Sequence, residues 1–146
     1  METSLMALLR AAVDPLIFGT LGLMSVLMLA AVFERLWFYR RVCLGDFQSE
    51  RVLNVALTDR LALIYTVGSS APYVGLLGTV AGILITFYDI GQGGDIAVSD
   101  IMVGLALALK ATAAGLFVAI PAVMFNNALA RRVEVLTALW HAGREP

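Results

Sequence analysis

The chain has 146 residues and a formal net charge of −1; 60% of its residues are apolar and only 14% are charged. A mean hydropathy of +0.88 is too high for a water-soluble domain of this length, which needs more polar surface. One cysteine and one histidine exclude a disulfide framework, a cysteine-based metal cluster and a histidine-pair metal site. Composition therefore predicts one membrane domain over residues 1–146, with no metal or other cofactor.

The first apolar segment, residues 16–33, follows Pro15 and contains no charge. About 20 mostly apolar residues cross a bilayer as a helix, so this segment is predicted to be the first span. Residues 5–13 are interpreted as a short helix lying in the outer membrane interface. Glu2 stands where a signal peptide would carry positive charge, so the N-terminal segment is expected to stay attached.

Two longer apolar segments predict the remaining spans, at residues 61–88 and 101–129. The second span has no charge, and the third contains only Lys110. Apolar residues at helical spacing in residues 52–62 and 133–139 predict that both spans continue as helix into the cytoplasm. The alternative is a loosely ordered loop at each place. The predicted fold is an all-α membrane protein with three transmembrane helices.

The distribution of charge predicts the orientation. Residues 34–60 and the C-terminal segment are rich in arginine, whereas the 89–100 loop contains three aspartates and no basic residue. Basic loops stay in the cytoplasm, so the N-terminus and the 89–100 loop are predicted to lie in the periplasm and the C-terminus inside. Five arginines at the inner interface are predicted to bind anionic lipid headgroups, with simple topology anchoring as the alternative. They are Arg35, Arg40, Arg41, Arg131 and Arg132.

Small residues form a face on each of the last two spans. Such faces let helix backbones approach closely, and we expect them to be buried around a central cavity in a ring of subunits. The alternative is packing within one three-helix chain, but two extended small faces exceed what one chain should need. Span one has no such face and is interpreted as lipid-facing. The predicted packing residues are Gly75, Gly78 and Gly82 in span two and Gly104, Ala108, Gly115 and Ala119 in span three.

Two prolines and a lysine interrupt these apolar spans. Pro72 and Pro121 are predicted to kink their helices, since proline lacks an N–H and crowds the carbonyl one turn back. An ordinary tolerated kink is the alternative to a functional one. Lys110 is costly at mid-membrane, at about 2.5–3.5 kcal/mol on insertion scales. It points away from the small face, which predicts a subunit or partner contact, with snorkelling to the interface as the alternative.

Two threonines lie near the membrane midplane on the small faces. The helical rise places Thr79 and Thr112 about 13 and 16 Å inside their spans, nearly level with each other. A lone threonine can bond its own helix backbone, but two at one level are interpreted as part of a polar ring. The predicted spans contain no Asp or Glu. If protons pass here, a partner must supply the carboxyl group.

Two long strings of sequence resemble the signature helices of the ExbB and TolQ proteins, with MotA a more distant relative. They are TVGSSAPYVGLLGTVAGILITFYDIGQ at residues 66–92 and GLALALKATAAGLFVAIPAVMFNNALARRVE at residues 104–134. The resemblance is to a short ExbB, and it implies an inner-membrane homopentamer whose second and third helices line a pore. The pore would hold single-span ExbD-like or TolR-like subunits with a proton-carrying aspartate, and the complex would drive TonB or TolA.

The same resemblance assigns residues. Thr79 and Thr112 match the family's pore threonines, and this implies a place for both on the proton path. The family's best-known members carry a glutamate where this chain has Leu107, with Lys110 one turn further on. The short cytoplasmic loop argues against a MotA-type stator.

Three functions follow as hypotheses. The first is a subunit of a proton-driven motor that energises TonB-dependent transport, or its TolQ-like counterpart in the Tol system. The second is a membrane scaffold that conducts no protons. The third is an intramembrane enzyme, which is not expected, because the spans lack a nucleophile with a base beside it. The expected partners are other copies of the chain, the single-span subunit, the TonB-like or TolA-like protein and membrane lipids, without nucleic acid.

Overall fold

The computed structural model describes residues 2–92 and 98–144, and these are almost entirely helical. Four α-helices follow one another as α1 (Glu2–Arg41), α2 (Glu50–Thr58), α3 (Leu61–Gly91) and α4 (Val98–Ala142), with a 3₁₀ turn at Leu44–Asp46. Three segments are long and apolar enough to cross a membrane, namely Ala11–Arg41, Leu61–Gly91 and Val98–Ala142. The all-helical, three-span prediction is confirmed. The middle of the predicted 89–100 loop, including Asp95, lies outside the described residues.

The first helix is longer than the sequence predicted. Residues 5–13 are not a separate interfacial helix, because α1 runs unbroken from Glu2 to Arg41 with Pro15 inside it. A transmembrane segment must satisfy its backbone internally, which favours one continuous helix even at the cost of a hydrogen bond at proline. The prolines of α3 and α4, Pro72 and Pro121, likewise lie inside unbroken helices.

The predicted extension of span two is wrong, because α2 is a separate helix. Arg60 adopts a left-handed backbone conformation, with φ of 65°, and divides α2 from α3. The apolar residues of this region do recur at helical spacing, but they pack against α4 and do not extend span two. Leu53 and Leu57 of α2 are fully buried in a cluster with Val133 and Trp140 of α4. The extension of span three is present, since α4 continues as helix to Ala142.

Polar contacts hold α2 between α1 and α4. The last carbonyl groups of a helix lack intrahelical partners. Arg35 of α1 donates to the carbonyl oxygen of Ala56 at 3.0 Å, and the Tyr39 hydroxyl donates to that of Leu57 at 2.6 Å. On the other side, the indole N–H of Trp140 in α4 donates to the carbonyl oxygen of Phe47, just before α2, at 3.2 Å. The segment between α1 and α3 is therefore docked, and it is not a loosely ordered loop.

The membrane-spanning core consists mainly of the α3–α4 pair, with α1 packed on one side. Leu21 and Met28 of α1 are almost completely buried in the same cluster as Ile64 and Ala71 of α3 and Ala122 of α4. Many large apolar side chains on the outer faces of all three helices remain exposed. Such faces need lipid or other protein as a partner.

Candidate functional site

Helices α3 and α4 touch through their backbones at a pair of glycines. A Cβ atom added to Gly115 would lie 2.7 Å from the Ala71 carbonyl oxygen and 3.0 Å from the Cα atom of Gly75. A Cβ atom added to Gly75 would in turn lie 2.7 Å from the Ala111 carbonyl oxygen. No side chain fits between these backbones, so glycine is required on both helices for this close approach.

The remaining small residues continue this contact along both helices. A Cβ atom added to Gly82 would lie 2.8 Å from the Cβ atom of Ala108. Nearer the N-terminal end of α4, Gly104 lies against the side chain of Thr86, and Ala119 is buried nearer the C-terminal end of α4. Each small face is the partner of the other within one chain. Two such faces therefore do not exceed the need of a single chain, contrary to the prediction, and the single-chain alternative describes this contact.

Thr79 and Thr112 meet in the same contact. Their hydroxyl groups are hydrogen-bonded to each other across α3 and α4. Thr79 Oγ1 also lies 3.4 Å from the Gly75 carbonyl oxygen and 3.2 Å from that of Ala108, and Thr112 Oγ1 lies 3.4 Å from the Gly75 carbonyl oxygen. The two hydroxyls and two backbone carbonyls form one small polar network in an apolar contact.

α1 covers only one side of this contact. Ile17 of α1 reaches the point where Gly78 meets Ala111, since a Cβ atom added to Gly78 would lie 3.0 Å from the Ile17 side chain. Thr112 follows Ala111, which places it about 100° further round α4. Its side chain is partly exposed. Leu116, one turn along that side of α4, is 45% exposed. Thr112 therefore borders a face of the α3–α4 pair that α1 leaves open.

Lys110 lies on the α1 side of α4. It is two residues from Thr112, which corresponds to about 200° around the helix. Its ammonium group lies 5.4 Å from the centre of the Phe18 ring of α1, within cation–π range. The structure thus gives this charge a neighbour in its own chain. Leu107, one turn away, lines a cavity between α1, α3 and α4.

That cavity carries carboxyl groups which the sequence prediction left in loops. Its volume is about 400 Å³, and its lining includes Asp14, Asp89 and Asp100 together with Thr86. The predicted spans ended before these acids, but α1, α3 and α4 each extend past them. Acidic residues within one turn of three predicted span ends were the signal that could have revealed this grouping. Among the described residues, no group of three potential ligands has a geometry that could hold a metal ion.

The five arginines assigned to lipid do not share one environment. Arg35 is 5% exposed, forms ion pairs with Glu34 and Asp59 at 3.1 and 3.5 Å, and stacks on Phe38. Its assignment to lipid headgroups is wrong, because the guanidinium is used inside the chain. Arg41 lies over the Trp37 ring, and Arg131 pairs with Glu134. The other two, Arg40 and Arg132, are exposed.

Comparison with known proteins places these helices in a family. The model of the MotA/TolQ/ExbB proton channel family matches residues 47–142, which include α2, α3 and α4 in full. The chain is 50% identical to the biopolymer transport protein ExbB of Aquifex aeolicus over 134 residues, which is 92% of this chain and 90% of that protein.

Two further relatives differ in how much of each protein is matched. The chain is 49% identical to the biopolymer transport protein ExbB of Helicobacter pylori over 132 residues, which is 90% of this chain and 91% of that protein. It is also 43% identical to the Tol-Pal system protein TolQ of Pseudomonas aeruginosa over 85 residues, which is 58% of this chain but 37% of that protein.

Proposed function

Because the chain belongs to the MotA/TolQ/ExbB proton channel family, we propose that it is an ExbB-type subunit that energises TonB-dependent transport across the outer membrane. It would lie in the bacterial inner membrane as a multi-pass protein, with the basic 34–60 segment and the C-terminus in the cytoplasm. The observation that carries this proposal is the likeness to ExbB proteins over nine-tenths of both chains.

In the proposed assembly, five copies surround the single-span helices of an ExbD-like subunit. The α3–α4 face that α1 leaves open would line the pore, and α1 would face lipid. Thr112 borders that open face, and Thr79 is hydrogen-bonded to it from behind. This arrangement supports a place for both threonines beside the partner's aspartate.

The chemistry of the proposed path follows from what these side chains can do. A threonine hydroxyl both donates and accepts a hydrogen bond, so it can serve a carboxyl group in either protonation state. The network around Thr79 and Thr112 offers hydroxyls and backbone carbonyls, and none of its described members is a titratable side chain. The partner's aspartate would therefore carry the proton. Each charge crossing a potential of 100 mV supplies about 2.3 kcal/mol, which would drive movement of the TonB-like protein.

A TolQ-like role, with TolR-like and TolA-like partners, is the second candidate. The identity to a TolQ protein supports it, but that match spans only 37% of the TolQ chain. The ExbB relatives match in length as well as in sequence, which favours the TonB system. A scaffold that conducts no protons shares the fold and differs only in the absence of flux.

Complementation in cells that lack this chain separates these roles. Restoring the chain should restore TonB-dependent uptake, and co-purification should recover a single-span protein with a membrane aspartate. Restored resistance to detergent with no change in uptake would assign the chain to the Tol system. Full uptake in cells without the chain, and without a second gene of the same family, would overturn the proposal.

A further inference from the structure

The two threonines of the site differ in accessibility. Thr79 is 8% exposed and lies between α3 and α4, whereas Thr112 is only partly covered and borders the open face. A group that approaches from that face would reach Thr112 first. The sequence predicts two equivalent members of a polar ring, but in the structure Thr79 lies behind Thr112 as seen from the open face.

The hydrogen-bond donors in this network can be counted. Two hydroxyl groups provide two protons, and the acceptors are the two hydroxyl oxygens and the carbonyl oxygens of Gly75 and Ala108. When Thr112 donates away from the network, Thr79 can donate to Thr112. When Thr112 donates to Thr79 or to Gly75, Thr79 can still donate to the Ala108 carbonyl. Neither arrangement leaves a buried donor without a partner, which would be costly.

We propose that Thr112 is the residue that touches the partner's carboxyl group, and that Thr79 is a positioning residue that sets the direction of the Thr112 hydroxyl. This inference rests on the proposed function above. With the partner's aspartate ionised, Thr112 donates to the carboxylate and accepts from Thr79. With the aspartate protonated, the acid donates to Thr112, Thr112 donates back into the network, and Thr79 donates to Ala108.

No proton leaves either threonine in this cycle. Each threonine hydroxyl only rotates about its Cβ–Oγ1 bond. The transported proton stays on the partner's carboxyl group until water takes it. Replacing Thr79 by valine removes the donor that holds the Thr112 hydroxyl outward. The Gly75 carbonyl, 3.4 Å from Thr112 Oγ1, then remains to draw that hydroxyl inward. Thr79 thus acts only through Thr112, so its effect should disappear when Thr112 has no hydroxyl.

A double-mutant cycle on the intact complex tests this dependence, with proton-driven uptake measured per assembled complex. Thr112→Val should lower the rate about ten-fold, the size of a lost hydrogen bond to a charged group. Thr79→Val should lower it about three-fold, the size of an ordinary hydrogen bond. The double variant should match Thr112→Val alone, and Thr79→Ser should recover most of the loss seen with valine.

Two results would overturn the inference while leaving the proposed function in place. One is a double variant whose loss is the product of the single losses, about 30-fold, as for independent residues. The other is a Thr79→Ser variant as slow as Thr79→Val, which would make the role of Thr79 one of packing. If valine at residue 112 prevents assembly, Thr112→Ala replaces it in the same cycle. A Thr112 variant that forms complex and works at the normal rate would instead remove the pore assignment in the proposed function.

Discussion

Gly115 lies directly against Gly75, so that a Cβ atom on Gly115 would be 3.0 Å from the Cα atom of its partner. The two helices that carry the threonine pair are thus held in register by backbone contact. This fixes the separation across which the hydroxyls of Thr79 and Thr112 meet.

Gly115→Ala should destabilise the chain by about 1–3 kcal/mol, the usual cost of forcing extra atoms into a close-packed contact. The new methyl group would meet the Ala71 carbonyl, which is backbone and cannot turn aside. Thermal unfolding of the purified protein in mild detergent measures the change. Gly22→Ala is the matched control, because a Cβ atom there meets nothing within 4 Å. Equal stability of the two variants would contradict the backbone contact.

Tyr39→Phe should loosen α2 while the spans stay intact. The substitution removes the 2.6 Å hydrogen bond to the Leu57 carbonyl, at a cost of about 1 kcal/mol. Hydrogen exchange should become faster at residues 50–58 and stay unchanged in the buried parts of α3. Tyr65→Phe is the control, since Tyr65 is 63% exposed. Unchanged exchange in α2 would show that the burial of Leu53 and Leu57 holds the helix by itself.

Lys110→Met should change assembly more than conduction, because Lys110 points away from the threonine pair. The contact with the Phe18 ring contributes about 0.5–2 kcal/mol. The yield of complex with the single-span partner should fall, while the rate per complex stays normal. Phe18→Leu tests the source of the effect: a normal yield with leucine would place the main role of Lys110 at another subunit or partner. A Lys110→Met complex with full yield and a slowed rate would place the lysine on the proton path.

Neutralising Arg40, Arg41, Arg131 and Arg132 together should reduce the retention of anionic lipid in native mass spectrometry. Each basic residue near the membrane surface contributes about 1 kcal/mol of attraction to anionic lipid. Arg35→Gln should leave lipid retention unchanged and lower stability, because Arg35 is buried against Ala56 and Asp59. Lipid retention that survives the four-fold change would mean that these arginines serve topology alone.

The sequence was sufficient for the three spans because long apolar runs have few other structures available. It was not sufficient for the region of α2. The periodicity of Leu53 and Leu57 predicts a helix with a buried face, but the left-handed residue at Arg60 decides that this helix is separate. Nothing in an arginine indicates that conformation, which tertiary contacts of α2 with α1 and α4 stabilise.

The same limit applies to single side chains. Arg35 and Arg40 have the same charge, and the sequence predicts the same membrane interface for both. Of these two arginines, only Arg35 is buried and paired with carboxylates. The similar depth of Thr79 and Thr112 within their spans could be predicted from the helical rise per residue. Their direct hydrogen bond could not, because it depends on how closely α3 and α4 approach at Gly75 and Gly115.

In the proposed function, this chain forms the wall of a proton path whose carboxyl group belongs to a partner. Proton flux into liposomes under an imposed membrane potential tests it most directly, with the chain reconstituted alone, with its single-span partner, and with that partner's aspartate replaced by asparagine. Flux is expected only with the unaltered partner, and about ten-fold less flux when the chain carries Thr112→Val. Equal flux from the chain alone, or from the complex with the asparagine partner, would contradict it.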